Sequence, residues 1–160
     1  MFRSRIIKKA TYEHTLTREG GIIKILEIHQ YGADGARTTV SNTEFVSGNS
    51  PRQISLVDRT ALSKARQLPG LCVHKFDADL ITGGLIYDSL SSGSRLKIGE
   101  MEIEISTERK RCFDECALHQ KGETCPLPVN SAFAQVIIGG HIEAGMAITL
   151  VTEENMLCIG

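Results

Sequence analysis

Apolar residues alternate with polar ones along much of this chain, and glycine-rich turns separate these stretches. The clearest example is 96–106, where a Gly99-Glu100 turn divides two alternating runs. In the second run Met101, Ile103 and Ile105 share one face, while the residues between them are polar. Strict alternation of this kind predicts strands with one buried face and one wet face.

Several other stretches are rich in β-branched and aliphatic residues and predict further short strands. Helical spacing is convincing only over 58–68, where Asp58 is a candidate N-cap and Pro69-Gly70 ends the segment. We expect 77–84 to be a polar loop before the apolar residues 85–87. The predicted strands outside the 96–106 stretch are 22–28, 52–57, 71–76, 132–138 and 147–151.

This series of short strands with one helix predicts a mainly β domain. Closing the strands into a barrel removes exposed sheet edges, so we expect a closed or partly closed β-barrel with one or two short helices. The length of 160 residues fits one compact domain. We assign residues 21–151 to the barrel, 1–20 to an N-terminal extension and 152–160 to a C-terminal tail.

Charge and hydropathy narrow the classes of partner. A formal net charge of −1 favours neither nucleic acid nor an anionic membrane. No apolar run reaches the roughly 20 residues of a membrane helix. The first twenty residues lack the apolar stretch of a secretory signal. We therefore expect a soluble, cytoplasmic protein with no membrane or nucleic-acid partner.

The cysteines are the main chemical clue. There are 5 of them, and an odd number in a reducing compartment favours thiols, a metal site or redox chemistry over a disulfide framework. Cys112, Cys116 and Cys125 are clustered, whereas Cys72 and Cys158 lie far from this cluster and resemble packing or tail thiols. The segment around Cys112 is thus the first candidate for a functional site.

Three cations, Arg109, Lys110 and Arg111, directly precede Cys112. Nearby positive charge favours the thiolate form of a cysteine. Such a thiolate can attack sulfur, carry a persulfide or ligate a soft metal. The alternative is that the cations are a solvated run and Cys112 is a small buried side chain.

A second interpretation uses Cys112 together with Cys116, His119 and Cys125. Three thiolates and one imidazole are a sound tetrahedral zinc set, and three thiolates can hold an iron–sulfur cluster. The spacing C-x3-C-x2-H-x5-C matches neither a standard zinc finger nor a ferredoxin run. A bound metal, a redox-linked pair of thiols and unligated thiols all remain open.

Outside this segment, Asp79 and Thr82 are candidates to line a pocket, because they lie in the predicted polar loop 77–84. Arg52 is a candidate to bind phosphate. The alternative for each is an ordinary solvated position. His29, His74 and His141 adjoin apolar runs and are expected to be structural histidines.

An ordered series of motifs resembles the MOSC domain, the family named for the C-terminal domain of molybdenum cofactor sulfurases. The series covers about residues 20–151. It comprises Arg52-Gln53-Ile54-Ser55-Leu56 before a capped helix, 76–84, 90–99, a strand leading to Cys112, 122–128, 133–136 and 139–145. The sequence departs from the family at Asp79, where Asn is usual, at Met146, where an acidic residue is common, and at Lys110-Arg111, where some members have Pro.

The resemblance implies a β-barrel and a functional cysteine at Cys112 that carries sulfur as a persulfide or contacts molybdenum. It implies the molybdenum cofactor, a molybdopterin, as ligand, with Arg109, Lys110, Arg111, Arg52, Asp79 and Thr82 as candidate cofactor-binding residues. A sulfur-donating desulfurase is the implied protein partner, and any pyridoxal phosphate is expected on that partner alone. The activity implied is sulfur carriage or one related to cofactor sulfuration.

Two other functions stay open. In one, Cys112, Cys116, His119 and Cys125 hold zinc or an iron–sulfur cluster, and the barrel is a non-catalytic binding module. Loss of metal would then lower stability. In the other, the barrel keeps the shape without the chemistry and acts only in assembly.

Overall fold

The described part of the chain forms a sheet of short strands around an aliphatic core. A computed structural model describes residues 10–13, 23–31, 33–34, 36–68, 78–106, 120–122 and 125–153. The strands are β1 (Ala10–Glu13), β2 (Lys24–Tyr31), β3 (Arg37–Val40), β4 (Asn42–Phe45), β5 (Ile54–Asp58), β6 (Leu80–Gly83), β7 (Arg95–Ile98), β8 (Met101–Ile105), β9 (Ser131–Ile138), β10 (Gly140–Glu143) and β11 (Ile148–Glu153). Helix α1 spans Arg59–Ala65, and single 3-10 turns lie at Tyr87–Ser89 and Pro128–Asn130.

The main sheet has the order β1-β11-β7-β8-β9-β5-β6-β2-β3 and curls back on itself. The start of β2 reaches the turn before β11, where Ile25 donates its N–H to the Met146 carbonyl at 2.9 Å. Close by, Gly145 donates its N–H to the Ile25 carbonyl at 2.7 Å, and Ile148 donates its N–H to the Ile23 carbonyl at 2.8 Å. This junction between β2 and the start of β11 is the barrel seam. These bonds join the two sides of the sheet. The predicted mainly β fold and partly closed barrel are confirmed.

The barrel interior is filled by aliphatic side chains. The predicted 96–106 hairpin is confirmed as β7 and β8, and Leu96, Ile98, Met101, Ile103 and Ile105 are all buried. Interior residues of β2, β5 and β9 complete this core. Because the buried side chains are mostly branched aliphatics, the short strands gain their stability from apolar burial rather than from aromatic packing.

Helix α1 packs on the outside of the barrel. Asp58 caps it as predicted, because its side chain accepts a hydrogen bond from the Ala61 N–H at 3.0 Å. The buried helix residue Leu62 shares an apolar cluster with Val57 of β5, Ile81 of β6 and Leu127. This second, smaller core ties α1 and the residues before β9 to the outer face of β5 and β6.

The loop expected over 77–84 is wrong at residues 80–83. Residues Leu80–Gly83 form β6, which pairs in parallel with β5 and antiparallel with β2. Backbone pairing on both edges and almost complete burial explain how a segment with a polar composition becomes a central strand. The apolar residues 85–87 lead into the 3-10 turn, and the strand expected at 71–76 lies outside the described residues.

Three polar strands were not predicted. β3 extends the main sheet beside β2, while β4 and β10 form a separate two-stranded ribbon. Gly139, between β9 and β10, permits a close approach here, since a Cβ on it would lie 2.5 Å from the Phe45 carbonyl oxygen.

The assigned domain boundaries stay predictions, although β1, from the stretch assigned to an extension, pairs with β11. Within the described ranges, no helix has the length and hydropathy to span a membrane.

Candidate functional site

Ser55 and Asp79 form a reciprocal hydrogen-bonded pair at the junction of β5 and β6. One carboxylate oxygen of Asp79 accepts from the Ser55 N–H at 2.8 Å and from the Ser55 hydroxyl at 3.1 Å. The Asp79 N–H lies 3.1 Å from the same hydroxyl oxygen and donates to it. Ser55 alternates with the buried Ile54 and Leu56, so its side chain faces the outside of the barrel.

Arg52 lies on the same outer side of the sheet. Its guanidinium carbon is 4.2 Å from the centre of the Phe133 ring, a cation–π contact. Phe133 is the register partner of Ser55 across β5 and β9 and also points outward, between the buried Ala132 and Ala134. Arg52, Ser55, Asp79 and Phe133 together are called the outer face below.

The described residue before the cysteine segment contacts this outer face. Ser106, at the end of β8, donates its N–H at 3.0 Å and its hydroxyl at 3.2 Å to the Phe133 carbonyl. The residues that carry the main sequence prediction, Arg109, Lys110, Arg111, Cys112, Cys116 and His119, lie outside the described residues. Their predicted roles stay predictions.

The chain returns to the same side of the sheet at Cys125 and Leu127. Half-buried Cys125 packs against the apolar cluster that contains Val57 and Leu127. The Ser131 hydroxyl donates to the Leu127 carbonyl at 2.7 Å and so fixes this return. Val57 pairs with Ser131 two residues beyond the Ser55–Phe133 pair. The segment at Cys125 and Leu127 therefore lies about 7 Å along the sheet from the outer face.

Thr82 does not join Arg52 and Asp79. It is fully buried and alternates with Ile81, so it faces the barrel interior. Its hydroxyl is within 3.3 Å of the Val57 carbonyl and 2.7 Å of the Tyr87 hydroxyl. Burial raises the pKa of Tyr87 despite the opposing effect of this hydrogen bond, so the phenol stays protonated. The structure thus separates the candidates Arg52 and Asp79 from Thr82, whose contact with a ligand stays a prediction.

His29 is the buried one of the two candidate structural histidines that the structure describes, His29 and His141. It is buried, and its Nδ1 donates to the Ala78 carbonyl at 3.1 Å. Its Nε2 lies 3.5 Å from Glu27, which also accepts a hydrogen bond from Arg59 of α1. Burial alone would raise the pKa of Glu27, but the hydrogen bonds to His29 and Arg59 and their charges outweigh it and lower the pKa. This network links β2 to the start of α1.

Sequence reasoning included Ser55 and Phe133 in the motifs of the resemblance but not among the candidate site residues. A serine and a phenylalanine in separate strands carry no signal of a shared site, and only the β5–β9 register brings them together. Among the described residues no group of three or more histidine, cysteine or acidic side chains is arranged to hold a metal ion. Of the four predicted metal ligands only Cys125 is described, so the metal prediction is not tested.

Comparisons with known proteins support the fold. Neither a family model nor a curated protein sequence matches this chain significantly. Among solved structures, YiiM from Geobacillus stearothermophilus superposes with a TM-score of 0.57 and 17% identity over 81% of this chain and 75% of that one. The YuaD protein from Bacillus subtilis gives a TM-score of 0.59 and 14% identity over 92% of this chain and 100% of its own.

YiiM from Escherichia coli is similar to a lesser degree, with a TM-score of 0.50 and 20% identity over 81% of this chain and 68% of that one. At such identities the likeness shows the shared barrel fold and nothing about residues or chemistry. The β-barrel that the resemblance implied is therefore confirmed as a fold.

Proposed function

We propose that this chain is a MOSC-type barrel that binds the molybdenum cofactor or carries sulfur as a persulfide on Cys112. The observation that supports the proposal best is the position of the two ends of the cysteine segment. Ser106 bonds to the Phe133 carbonyl, and Cys125 returns two residues further along the same side of the sheet. A segment tethered at both ends here can bring Cys112 to the outer face, where Arg52 is exposed.

The proposed sulfur transfer needs a thiolate and a persulfide donor. The cations Arg109, Lys110 and Arg111 favour ionisation of Cys112. The thiolate attacks the outer sulfur of a persulfide on a donor protein, so that a Cys112–sulfur bond forms and the donor sulfur–sulfur bond breaks. The donor cysteine leaves as its own thiolate, and no external oxidant or reductant is consumed. A desulfurase that uses pyridoxal phosphate is a suitable donor, with that cofactor on the partner.

The described residues fit a phosphorylated ligand at one position. Arg52 is exposed and its guanidinium is held over the half-buried Phe133 ring, which leaves its N–H groups able to meet a phosphate. Asp79 serves chiefly to position Ser55 in the neighbouring strand. When bound, the molybdenum cofactor supplies a metal that accepts a sulfur ligand, which Cys112 would provide.

The experiment that tests this proposal compares the parent with Cys112→Ser. Both are purified under anaerobic, reducing conditions, and sulfane sulfur after exposure to a persulfide donor and bound molybdenum are measured per chain. We expect the parent to take up sulfur or molybdenum and Cys112→Ser to lose nearly all of it. Cys158→Ser, which removes a thiol outside the cluster, is the matched control and is expected to behave like the parent. Retention of both activities by Cys112→Ser would overturn the proposal.

A separate variant tests whether Arg52 contributes to cofactor binding. Arg52→Gln removes the positive charge but keeps a polar side chain of similar reach. We expect it to weaken binding of a phosphorylated pterin about tenfold or more, because a hydrogen bond to a charged group contributes roughly 1.5–3 kcal/mol. Sulfur loading of Cys112 from a protein donor is expected to be unchanged. Equal pterin affinity in Arg52→Gln and the parent would exclude Arg52 from the site.

The position of Cys125 favours one other candidate, a structural zinc or iron–sulfur site. Its half-buried thiol lies beside the buried Leu127, in a return fixed by the Ser131 hydrogen bond. A metal held there with Cys112, Cys116 and His119 would stabilise the loop for a protein partner. Under this proposal chelation lowers the melting temperature, and substitution of any of the four ligands has the same effect.

A further inference from the structure

A cavity of about 320 Å³ lies between the two 3-10 turns. One wall is formed by the turn Tyr87–Ser89 and by Leu90, which follows it. The other is formed by the turn Pro128–Asn130 and the start of β9. The volume is at the lower end of the range of small-molecule sites. The cavity is therefore large enough for a compact organic ligand.

The cavity exposes apolar and polar surface in about equal amounts. Leu90, Pro128, Val129 and Ala132 line it, and Val129 is 56% exposed. An exposed valine beside a concave apolar surface leaves area that a ligand can bury. A bound molecule would therefore present an apolar body to these residues.

Of the three polar side chains among the described lining residues, two already form hydrogen bonds within the protein. The Tyr87 hydroxyl bonds to Thr82 at 2.7 Å, and the Ser131 hydroxyl donates to the Leu127 carbonyl. Asp88, by contrast, is exposed and makes no hydrogen bond or ion pair with another residue in the described part of the chain. Among the described lining residues there is no lysine, arginine or histidine. Asp88 is therefore the carboxylate that the described part of the cavity offers to a ligand.

We infer that this cavity is a binding site for a small organic ammonium ion, with the alkyl part against Leu90, Pro128 and Val129 and the ammonium group at Asp88. An alkylammonium matches both features of the site, because its carbon chain buries apolar surface and its charged end pairs with the carboxylate. An organic anion is disfavoured by Asp88. The inference rests on the cavity alone and does not depend on the proposed function of Cys112.

Titration of the full chain with butylammonium tests the inference, with butan-1-ol and butyrate as ligands of similar size. We expect saturable amide shifts in the NMR spectrum, confined to 87–90 and 128–132, with a Kd on the order of millimolar. Butanol is expected to bind about three- to fivefold more weakly, as loss of a part-exposed ion pair implies. Butyrate is expected to bind more weakly still. Absence of saturable shifts, or equal binding of butyrate, would overturn the inference.

Two substitutions locate the ligand. Asp88→Asn keeps the shape of an exposed residue and removes the charge, so butylammonium is expected to bind only as well as butanol. Val129→Lys brings a second ammonium group to the rim of the cavity and is expected to abolish the shifts. Cys112→Ser is expected to bind butylammonium like the parent. Undiminished affinity in both Asp88→Asn and Val129→Lys would show that the cation binds elsewhere and would contradict the assignment.

Discussion

Asp79 holds Ser55 by three hydrogen bonds, two of them accepted by a single oxygen of its carboxylate. The contact lies where β6 begins beside β5, and the Asp79 carbonyl also accepts a hydrogen bond from the His29 N–H of β2 at 2.8 Å. The polar residue Asp79 thus directly precedes a buried strand that pairs in parallel with β5. Its side chain and backbone organise the outer face before any ligand is present.

Removing the Asp79 carboxylate is expected to destabilise the barrel. Asp79→Ala leaves the half-buried Ser55 N–H without its acceptor, which costs about 1–3 kcal/mol in the free energy of unfolding. Asp79→Asn keeps one acceptor oxygen in place and is expected to lose less than half as much. Urea denaturation of both variants beside the parent measures the difference. Equal stability of Asp79→Ala and the parent would show that water replaces the carboxylate at no cost.

The parts of the fold that sequence predicted well are local. The β7–β8 hairpin follows from alternation around the Gly99-Glu100 turn, and α1 follows from the Asp58 cap and helical spacing. β6 was missed because its burial comes from pairing with β5 and β2, which are distant in sequence. β4 and β10 have no apolar pattern, and their pairing depends on the close approach that Gly139 permits.

The same distinction applies to the site. Arg52 and Asp79 were candidates because of their side-chain chemistry, and they flank one pair of residues on the outer face. That pair, Ser55 and Phe133, is defined only by the register between β5 and β9. Thr82 is the opposite case. Its place in a polar stretch predicted a residue that lines a pocket, whereas the alternation of side chains along β6 turns it toward the barrel interior.

Gly48 and Gln53 offer a test of the loop that precedes β5. The Gln53 amide donates to the Val46 carbonyl at 2.8 Å and accepts from the Val136 N–H at 2.9 Å, so it bridges the loop to β9. A Cβ at Gly48 would lie 2.6 Å from Gln53 Oε1 and displace this side chain. Gly48→Ala is expected to cost about 1–2 kcal/mol of stability by breaking both hydrogen bonds.

A double-mutant cycle separates this steric effect from any change in loop entropy. In a Gln53→Ala background the obstructing side chain is gone, so Gly48→Ala is expected to become nearly neutral or slightly stabilising. Chemical denaturation of the four proteins gives the coupling energy. Additive costs, with no coupling between the two positions, would show that Gln53 does not limit the residue at 48.

The barrel seam predicts a pattern of amide protection. The N–H groups of Ile25, Gly145 and Ile148 are hydrogen-bonded across the seam although these residues lie at or outside strand ends. We expect Ile25 and Ile148, which are also buried, to exchange with deuterium as slowly as the β8 amides. The exposed edge strand β3 is expected to exchange much faster. Exchange of the Ile25 amide at the rate of β3 would mean that the seam opens readily.

The Glu27 network predicts a dependence of stability on acid pH. The pKa of Glu27 is lower in the folded protein than its ordinary value of 4.5, so folding favours the carboxylate. This contribution is present above the unfolded pKa and is lost as pH falls through the folded pKa. Between about pH 5 and pH 3, Glu27→Gln is therefore expected to lose less stability than the parent.

An exposed carboxylate supplies the control for this pH series. Glu100→Gln alters the turn between β7 and β8, and Glu100 takes no part in the hydrogen bonds of Glu27 with His29 and Arg59. It is expected to follow the parent's pH dependence, as monitored by the urea midpoint at each pH. Parallel curves for Glu27→Gln and the parent would contradict a role for the Arg59 and His29 contacts in lowering this pKa.

The most direct test of the central claim is to locate the carried sulfur by peptide mass spectrometry after the full chain has met a persulfide donor. We predict that the additional sulfur atom is on Cys112, while Cys72, Cys116, Cys125 and Cys158 stay unmodified in the same sample. The proposed function of Cys112 would be contradicted by a chain that acquires no additional sulfur and contains no molybdenum. It would also be contradicted by a chain that acquires sulfur only at another cysteine.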